Sequence, residues 1–393
     1  MKSFALAITI ALLTFAANGQ VATVHTVGLT TPNKIINAPA NSMIVSEAGT
    51  TMPNTGRLSI VDRTSGARHT LISGLPSAAS FLGGNPMGDP DGPSGIVLQG
   101  NKLWMTIGVG DSVLPGGGPG LETPNATPSS PIFNSVLELT LPGGFATLGS
   151  GFTLTAAQQL AIDAGNTVTL HNAEGASLSI KLIADLPDWR PAPRPDAPNN
   201  VKASHLFGIE TWQKSLFVVD AGHNDVKEIS RKTGTVSVFL TFPPRANPTM
   251  IGPPFIEAVP TNIHRFGNRM LVPLLTGFPF VPGLAEVRRV NLKDATHEQF
   301  IGGLTSAMDI LHVEDEEKSL EPGDGSSFYT LEFSTNQLMG APGRLRYYAT
   351  PDAAPVNVLS NLITPTSMTR DDETRNLYIT NIGPGTITKV VFP

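Results

Sequence analysis

Short apolar phrases separated by polar turns recur in pairs along this chain, and the pairs repeat one another's wording. Pro365-Thr366-Ser367-Met368, followed by Asn376-Leu377-Tyr378-Ile379-Thr380-Asn381-Ile382-Gly383, is the template. Similar pairs open with Pro32-Asn33-Lys34-Ile35, Pro93-Ser94-Gly95-Ile96, Ser204-His205-Leu206-Phe207-Gly208-Ile209, Val259-Pro260-Thr261-Asn262-Ile263 and Thr305-Ser306-Ala307-Met308-Asp309-Ile310. An alternating third strand follows, as at 56–62, 225–230, 285–291, 343–348 and 385–392, and a fourth often closes in Gly-Leu, as at 68–75 and 298–304. Such period-two alternation is the mark of half-buried strands. Six copies of four antiparallel strands with almost no helix predict an all-β fold, the six-bladed β-propeller.

The two ends predict how the ring closes. The last copy stops after three strands at Pro393, whereas 22–29 reads as a fourth strand without a blade. If this N-terminal strand joins the last blade, no open edge remains. The expected layout is one propeller domain over 20–393, with 114–200 as an enlargement of the second blade. That segment holds the loop Pro115-Gly116-Gly117-Gly118-Pro119-Gly120, the capping-box phrase Thr155-Ala156-Ala157-Gln158 that opens a short helix, and a proline-rich connector at 187–198.

Residues 1–19 stand apart from this pattern. Lys2, the apolar run at 4–16 and the small residues Ala17-Asn18-Gly19 read as a signal peptide. The run is shorter than the ~20 residues that a spanning helix needs. The mature chain is therefore expected to be secreted or periplasmic, with no membrane span after signal removal.

Composition removes several classes of chemistry. The chain has no cysteine, which excludes a thiol nucleophile, an iron–sulfur cluster and a thiolate zinc site, and leaves stability to a packed core. Its 39 Gly and 34 Pro with 15% charged residues favour turns over long surface helices. A formal net charge of −6 without a basic stripe offers no footprint for nucleic acid. No Lys follows Gly116-Gly117-Gly118 at the distance a P-loop requires, and no His-x-His or His-Glu-x-x-His spacing occurs.

A propeller gathers the starts of its innermost strands around one channel, so polar residues at equivalent points of each repeat converge. Asn33, Ser94, His205, Asn262, Asp309 and Ser367 are such residues, and the loops leaving the second strands add Glu47, Asp111, Asp220 and Asn224. From these, Glu47, His205, Asp220, Asn262, Asp309 and Ser367 are the candidate ligand-binding residues. A ring of carboxylate and amide oxygens suits Ca²⁺, which takes six to eight oxygen ligands in irregular geometry. The competing reading gives the same groups to hydrogen bonds between blades, since buried polar groups must find partners. His205 and His264 fall near inner strands of adjacent blades, where they suit a base pair or metal ligation. No nucleophile, base and orienting group stand out together, so no catalytic residue is assigned.

Val259-Pro260-Thr261, Leu275-Thr276-Gly277-Phe278-Pro279-Phe280, Pro282-Gly283 and Val218-Val219-Asp220-Ala221-Gly222-His223-Asn224 resemble the ScyD/ScyE family of exported propeller proteins related to NHL repeats. The resemblance spans most of the mature chain. It implies a signal peptide, six blades and a place in the bacterial envelope or outside it, but no established reaction. This chain departs from the family's wording at His205-Leu206-Phe207 and in its large second blade. The expected function is binding of a small-molecule or protein ligand, and the alternative is a calcium-dependent lactonase-like hydrolase with its site in the channel.

Overall fold

The computed structural model of this chain describes residues 19–82, 85, 87–116, 120–192, 201–314 and 326–393. The expected signal segment lies outside them apart from Gly19, as does part of the proline-rich connector. Six antiparallel sheets follow one another, each led by an inner strand: Pro32–Ala38, Pro93–Gln99, Leu206–Trp212, His264–Phe266, Ala307–Glu314 and Pro365–Arg370. They are the six blades of a β-propeller, numbered here in chain order.

The ring closes through its first strand. Val21–Thr26 pairs antiparallel with Thr386–Val391, with Val21 opposite Val391 and Val24 opposite Thr388, and supplies blade 6 with its outer strand. The strand ends at Thr26, earlier than the pattern predicts, and Val27 beyond it is exposed.

Alternation along the strands buries apolar side chains on both faces of each blade, so the core is divided into clusters between neighbours. Ile60, Leu103 and Leu137 pack between blades 1 and 2, Trp104 and Val218 between 2 and 3, and Val219 and Val272 between 3 and 4. Val287 and Phe328, Leu345 and Ile379, and Val45 and Tyr378 fill the remaining three gaps. At about 25 cal/mol per Å² of apolar surface, this inter-blade burial is the main force holding the ring.

The second blade gains a fifth strand, Val168–His171, and its insertion also extends blade 1, where Phe152–Thr153 pairs parallel with the outer strand. Thr155 caps the helix Ala156–Asp163 in a reciprocal capping box with Gln158. Gln159 then fastens this helix to blade 1 through Asn54 and the Gly74 carbonyl. Among the described residues, no helix is long and apolar enough to cross a membrane.

Candidate functional site

The inner strands share one irregularity. In five blades the register slips after the first residue of the strand, and blade 4 repeats the spacing through the bridge of Pro260 to Leu274 and the pair His264–Leu271. This aligns six tetrapeptides: Pro32-Asn33-Lys34-Ile35, Pro93-Ser94-Gly95-Ile96, Leu206-Phe207-Gly208-Ile209, Pro260-Thr261-Asn262-Ile263, Ala307-Met308-Asp309-Ile310 and Pro365-Thr366-Ser367-Met368. The structural counterparts of Asn262, Asp309 and Ser367 are therefore Lys34, Gly95 and Gly208. Asn33 and Ser94 stand one residue earlier than the sequence pattern places them, and His205 stands three earlier.

At positions two and three of several tetrapeptides a polar side chain reaches a neighbouring blade. At the second position, Thr261 donates its hydroxyl to the Ala307 carbonyl at 3.0 Å, Thr366 to the Pro32 carbonyl at 2.9 Å, and the Asn33 amide to the Pro93 carbonyl at 3.0 Å. At the third, Asn262 Nδ2 donates to Asp309 Oδ1 at 3.0 Å and Ser367 Oγ donates to Asp309 Oδ2 at 3.0 Å. Gly95 and Gly208 sit where blades approach closely: a Cβ on Gly95 would lie 2.2 Å from the Phe207 carbonyl oxygen, and one on Gly208 2.6 Å from Asn262 Cα. Much of the polarity at the channel wall thus joins blade to blade.

Asp309 is the centre of what remains. Its carboxylate is fully buried and also accepts the backbone N–H groups of Ile310 at 3.0 Å and Met368 at 2.9 Å. His264 Nε2 lies 2.5 Å from Oδ1, and Lys34 Nζ lies 3.6 Å from Oδ2 and 3.3 Å from the same His264 nitrogen. Burial by itself pushes the Asp309 carboxyl up, but the Lys34 ammonium, His264 and the Met368 N–H outweigh it and hold the group at about 2. An ionised carboxylate has no proton to share, so His264 Nε2 carries one and donates it, and Nδ1 is the nitrogen left for another partner.

The neighbours of this trio are also titratable. Burial lowers the Lys34 ammonium, while Asp309 and Glu210 pull the other way; burial and His264 both lower the His312 imidazole. The side chains of His264 and His312 keep 22% and 29% of their surface open, against 8% for Lys34 and none for Asp309. Solvent therefore meets the imidazoles, while the Lys34 ammonium lies nearly covered behind them and the Asp309 carboxylate is out of reach. That arrangement offers a ligand one cation and one hydrogen-bonding nitrogen.

The other predicted residues stand elsewhere: Glu47 and Asp220 end second strands, and His205 lies just before an inner strand. Glu47 pairs with Arg57 at 2.6 Å and accepts the Thr30 N–H. Asp220 accepts the Ser204 hydroxyl and the His205 and His223 N–H groups, and meets the His223 ring at 2.9 Å. Glu332 does the same for Thr305 while paired with Arg344 and Arg346. These three carboxylates end equivalent second strands and hold the chain before an inner strand. His205 meets Asp91 at 3.4 Å; burial lowers its imidazole, but the Asp91 and Asp220 carboxylates outweigh this and raise it. His205 and His264 therefore belong to separate groups, each with its own carboxylate. Asp111 accepts from Ser129, and the Asn224 carbonyl accepts the Phe242 N–H.

The oxygens weighed as calcium ligands are occupied in this way, Asp309 by five hydrogen-bond donors and an ammonium. Among the described residues, no three or more His, Asp or Glu side chains stand close enough to hold a metal ion. Lys34, Glu210 and His312 are members of the channel cluster that the sequence pattern does not single out. Lys34 was within reach, because aligning the repeats on the apolar fourth residue puts it in the column of Asp309.

No protein-family model matches this chain, and no curated protein does. Among solved structures, the ring is similar to an auxiliary nutrient binding protein of Bacteroides thetaiotaomicron, with 10% identity and a TM-score of 0.53 over 95% of this chain and 76% of that one. An auxiliary nutrient binding protein of Bacteroides ovatus aligns at 9% identity and a TM-score of 0.47, over 95% and 77% of the two chains. A gluconolactonase of Xanthomonas campestris aligns at 10% and 0.48, over 95% and 90%. The first likeness shows a shared fold: the chain is a six-bladed β-propeller.

Proposed function

We propose that this chain is an exported binding propeller of the kind its repeats resemble, the ScyD/ScyE family, and that it takes a small molecule in the channel. The observation that carries this reading is the Lys34–His264–Asp309 cluster, in which a buried carboxylate orients an imidazole that faces solvent and a nearly covered ammonium beside it. Asn262 and Ser367 hold that carboxylate, whereas Glu47, Asp220 and His205 shape the loops above it. A ligand with an anionic or carbonyl oxygen suits Lys34, and a hydroxyl beside that oxygen suits His264 Nδ1. The nutrient-binding role of the Bacteroides thetaiotaomicron neighbour is in line with a binding function.

A panel of hydroxy acids, sugar acids and lactones tests it, read by NMR of the His264 ring and by thermal stabilisation. At least one compound should move the His264 resonances and raise the melting temperature, and His264→Ala should abolish the stabilisation. A compound that stabilises the protein equally in His264→Ala places binding outside the channel. The hydrolase alternative is checked on the same lactones: turnover that calcium restores after chelation supports it, and binding without turnover removes it.

A further inference from the structure

The loops of this ring divide between its two faces. Strands alternate in direction within each blade, so the turns after second strands and the links from fourth strands to the next blade emerge on one face. The turns after first and third strands emerge on the other. At the loop tips the large exposed apolar side chains gather on one face, while others, such as Val236, Val356 and Val391, lie on outer strands. Met52, Met250, Ile251, Phe278, Met339 and Ile363, from blades 1, 3, 4 and 5 and their links, all lie on the first face, and Met250 is wholly exposed. Among the described residues, the turns of the second face carry no large exposed apolar side chain; Leu160 belongs to the inserted helix, which is fastened to Asn54 and Gly74 at the first-face end of blade 1.

Charge is absent from four of these apolar tips, although the blade 2 connections of the same face carry Asp89, Asp111, Glu122 and Asp188. Segments 50–55, 247–256, 276–284 and 333–342 of the first face contain no Asp, Glu, Lys or Arg, whereas turns 63–67, 231–235, 292–296 and 371–376 of the second each contain at least one. The apolar tips are also held in place. Asn247 Nδ2 donates to the Ile251 and Pro253 carbonyls at 2.7 and 2.8 Å, Ser77 donates to the Met52 carbonyl at 3.0 Å, and Asn336 accepts the Met339 N–H. Rigid tips rich in Met and Phe and free of charge have the composition of an interface core. Together they expose on the order of 1,000 Å², the scale of the ~800 Å² each partner gives to a stable interface.

We infer that a second copy of this chain docks on this face, ring against ring about a two-fold axis. The chain carries a net charge of −6, so two copies repel over most of their surface. A two-fold contact lays each patch on its own counterpart, and a patch without charge does so free of like-charge apposition. A lipid surface is the weaker match, because membrane-facing loops draw on Lys, Arg, Trp and Tyr, and the four segments contain none of these.

Sedimentation velocity of the mature chain over a concentration series tests the inference, beside co-sedimentation with phosphatidylcholine vesicles. The expected result is a dimer whose dissociation constant rises at least tenfold in Met250→Glu and in Phe278→Glu, with melting temperatures unchanged. Lys232→Glu, on the opposite face, should leave it unaltered. A chain that stays monomeric at high micromolar concentration, or a dimer indifferent to both substitutions, overturns the inference. So does a monomer that pellets with the vesicles, which assigns the face to lipid.

Discussion

Lys34 on blade 1 and Asp309 on blade 5 meet at 3.6 Å although blade 6 stands between them. The contact exists because the ring is closed: strand pairing joins blade 6 to the first strand of the chain, and the third residues of the inner tetrapeptides then share one channel. Asp309 is also where Asn262 from blade 4 and Ser367 from blade 6 converge. One carboxylate thus gathers donors from four of the six blades, which couples the polarity of the channel to the geometry of the whole ring.

Asp309→Asn should cost about 3–5 kcal/mol, the scale of breaking a buried ion pair by removing one partner. The loss arises from the Lys34 ammonium, left buried without a counter-charge. Lys34→Met in the same chain should therefore recover most of it, since two neutral side chains of similar volume carry no desolvation penalty. Urea unfolding of both single variants and the double variant measures the difference. A double variant no more stable than Asp309→Asn would show that the ion pair is not the source.

Stability should also fall in acid with a sign that Asp309 fixes. Its carboxyl sits at about 2 folded, against the ordinary 3.8, so the unfolded chain takes up the proton first. The stabilisation is complete above about pH 4 and drains away as pH falls toward 2, amounting to about 2 kcal/mol. Asp225 acts in the opposite direction, because burial and the adjacent Asp220 push it up to about 6, and its contribution declines as pH rises from about 4 to 6. Unfolding free energies across pH 2–7 should show an acid limb that flattens in Asp309→Asn.

The repeat was legible because each copy ends its opening tetrapeptide in an apolar residue: Ile35, Ile96, Ile209, Ile263, Ile310 and Met368. That residue packs between blades, so its spacing survives when the others change. The polar column was harder to read. Gly95 and Gly208 replace polar side chains where blades approach most closely, which draws attention to the nearby Ser94 and His205 instead. The register slip after the first residue of the strand is a backbone feature with no side-chain signature, and it decides whether Asn33 or Lys34 faces Asp309. His264 meets Asp309 through strand register across two blades, a relation that no local pattern encodes.

Removal of the first strand is predicted to open the ring. Val21–Thr26 covers the edge strand Thr386–Val391, and Leu29 beyond it donates its N–H to the Gly385 carbonyl. A chain beginning at Gly28 would expose an unpaired strand edge on blade 6 and uncover the side of Val390. It should melt at least 10 °C lower, by an order-of-magnitude estimate from the lost hydrogen bonds and apolar burial. Aggregation should accompany the melting. Adding the missing strand as a synthetic peptide should restore part of the loss, and a truncated chain as stable as the intact one would refute closure by pairing.

Gly95→Ala and Gly208→Ala test whether the two glycines are set by blade packing. Each new methyl would point at backbone of the next blade, the Phe207 carbonyl for Gly95 and Asn262 Cα for Gly208, and backbone yields less than a flexible side chain. Overpacking of this kind costs typically 1–3 kcal/mol. The two substitutions should differ in their reach, because Gly208 abuts the residue that positions Asp309 whereas Gly95 does not. Displacing Asn262 loosens its 3.0 Å hydrogen bond to Asp309 and, through that carboxylate, the placement of His264. The His264 ring resonances should therefore shift in Gly208→Ala and stay in place in Gly95→Ala, while urea unfolding records a loss of stability in both. Equal resonances in the two variants would mean that Asn262 does not transmit blade packing to the channel.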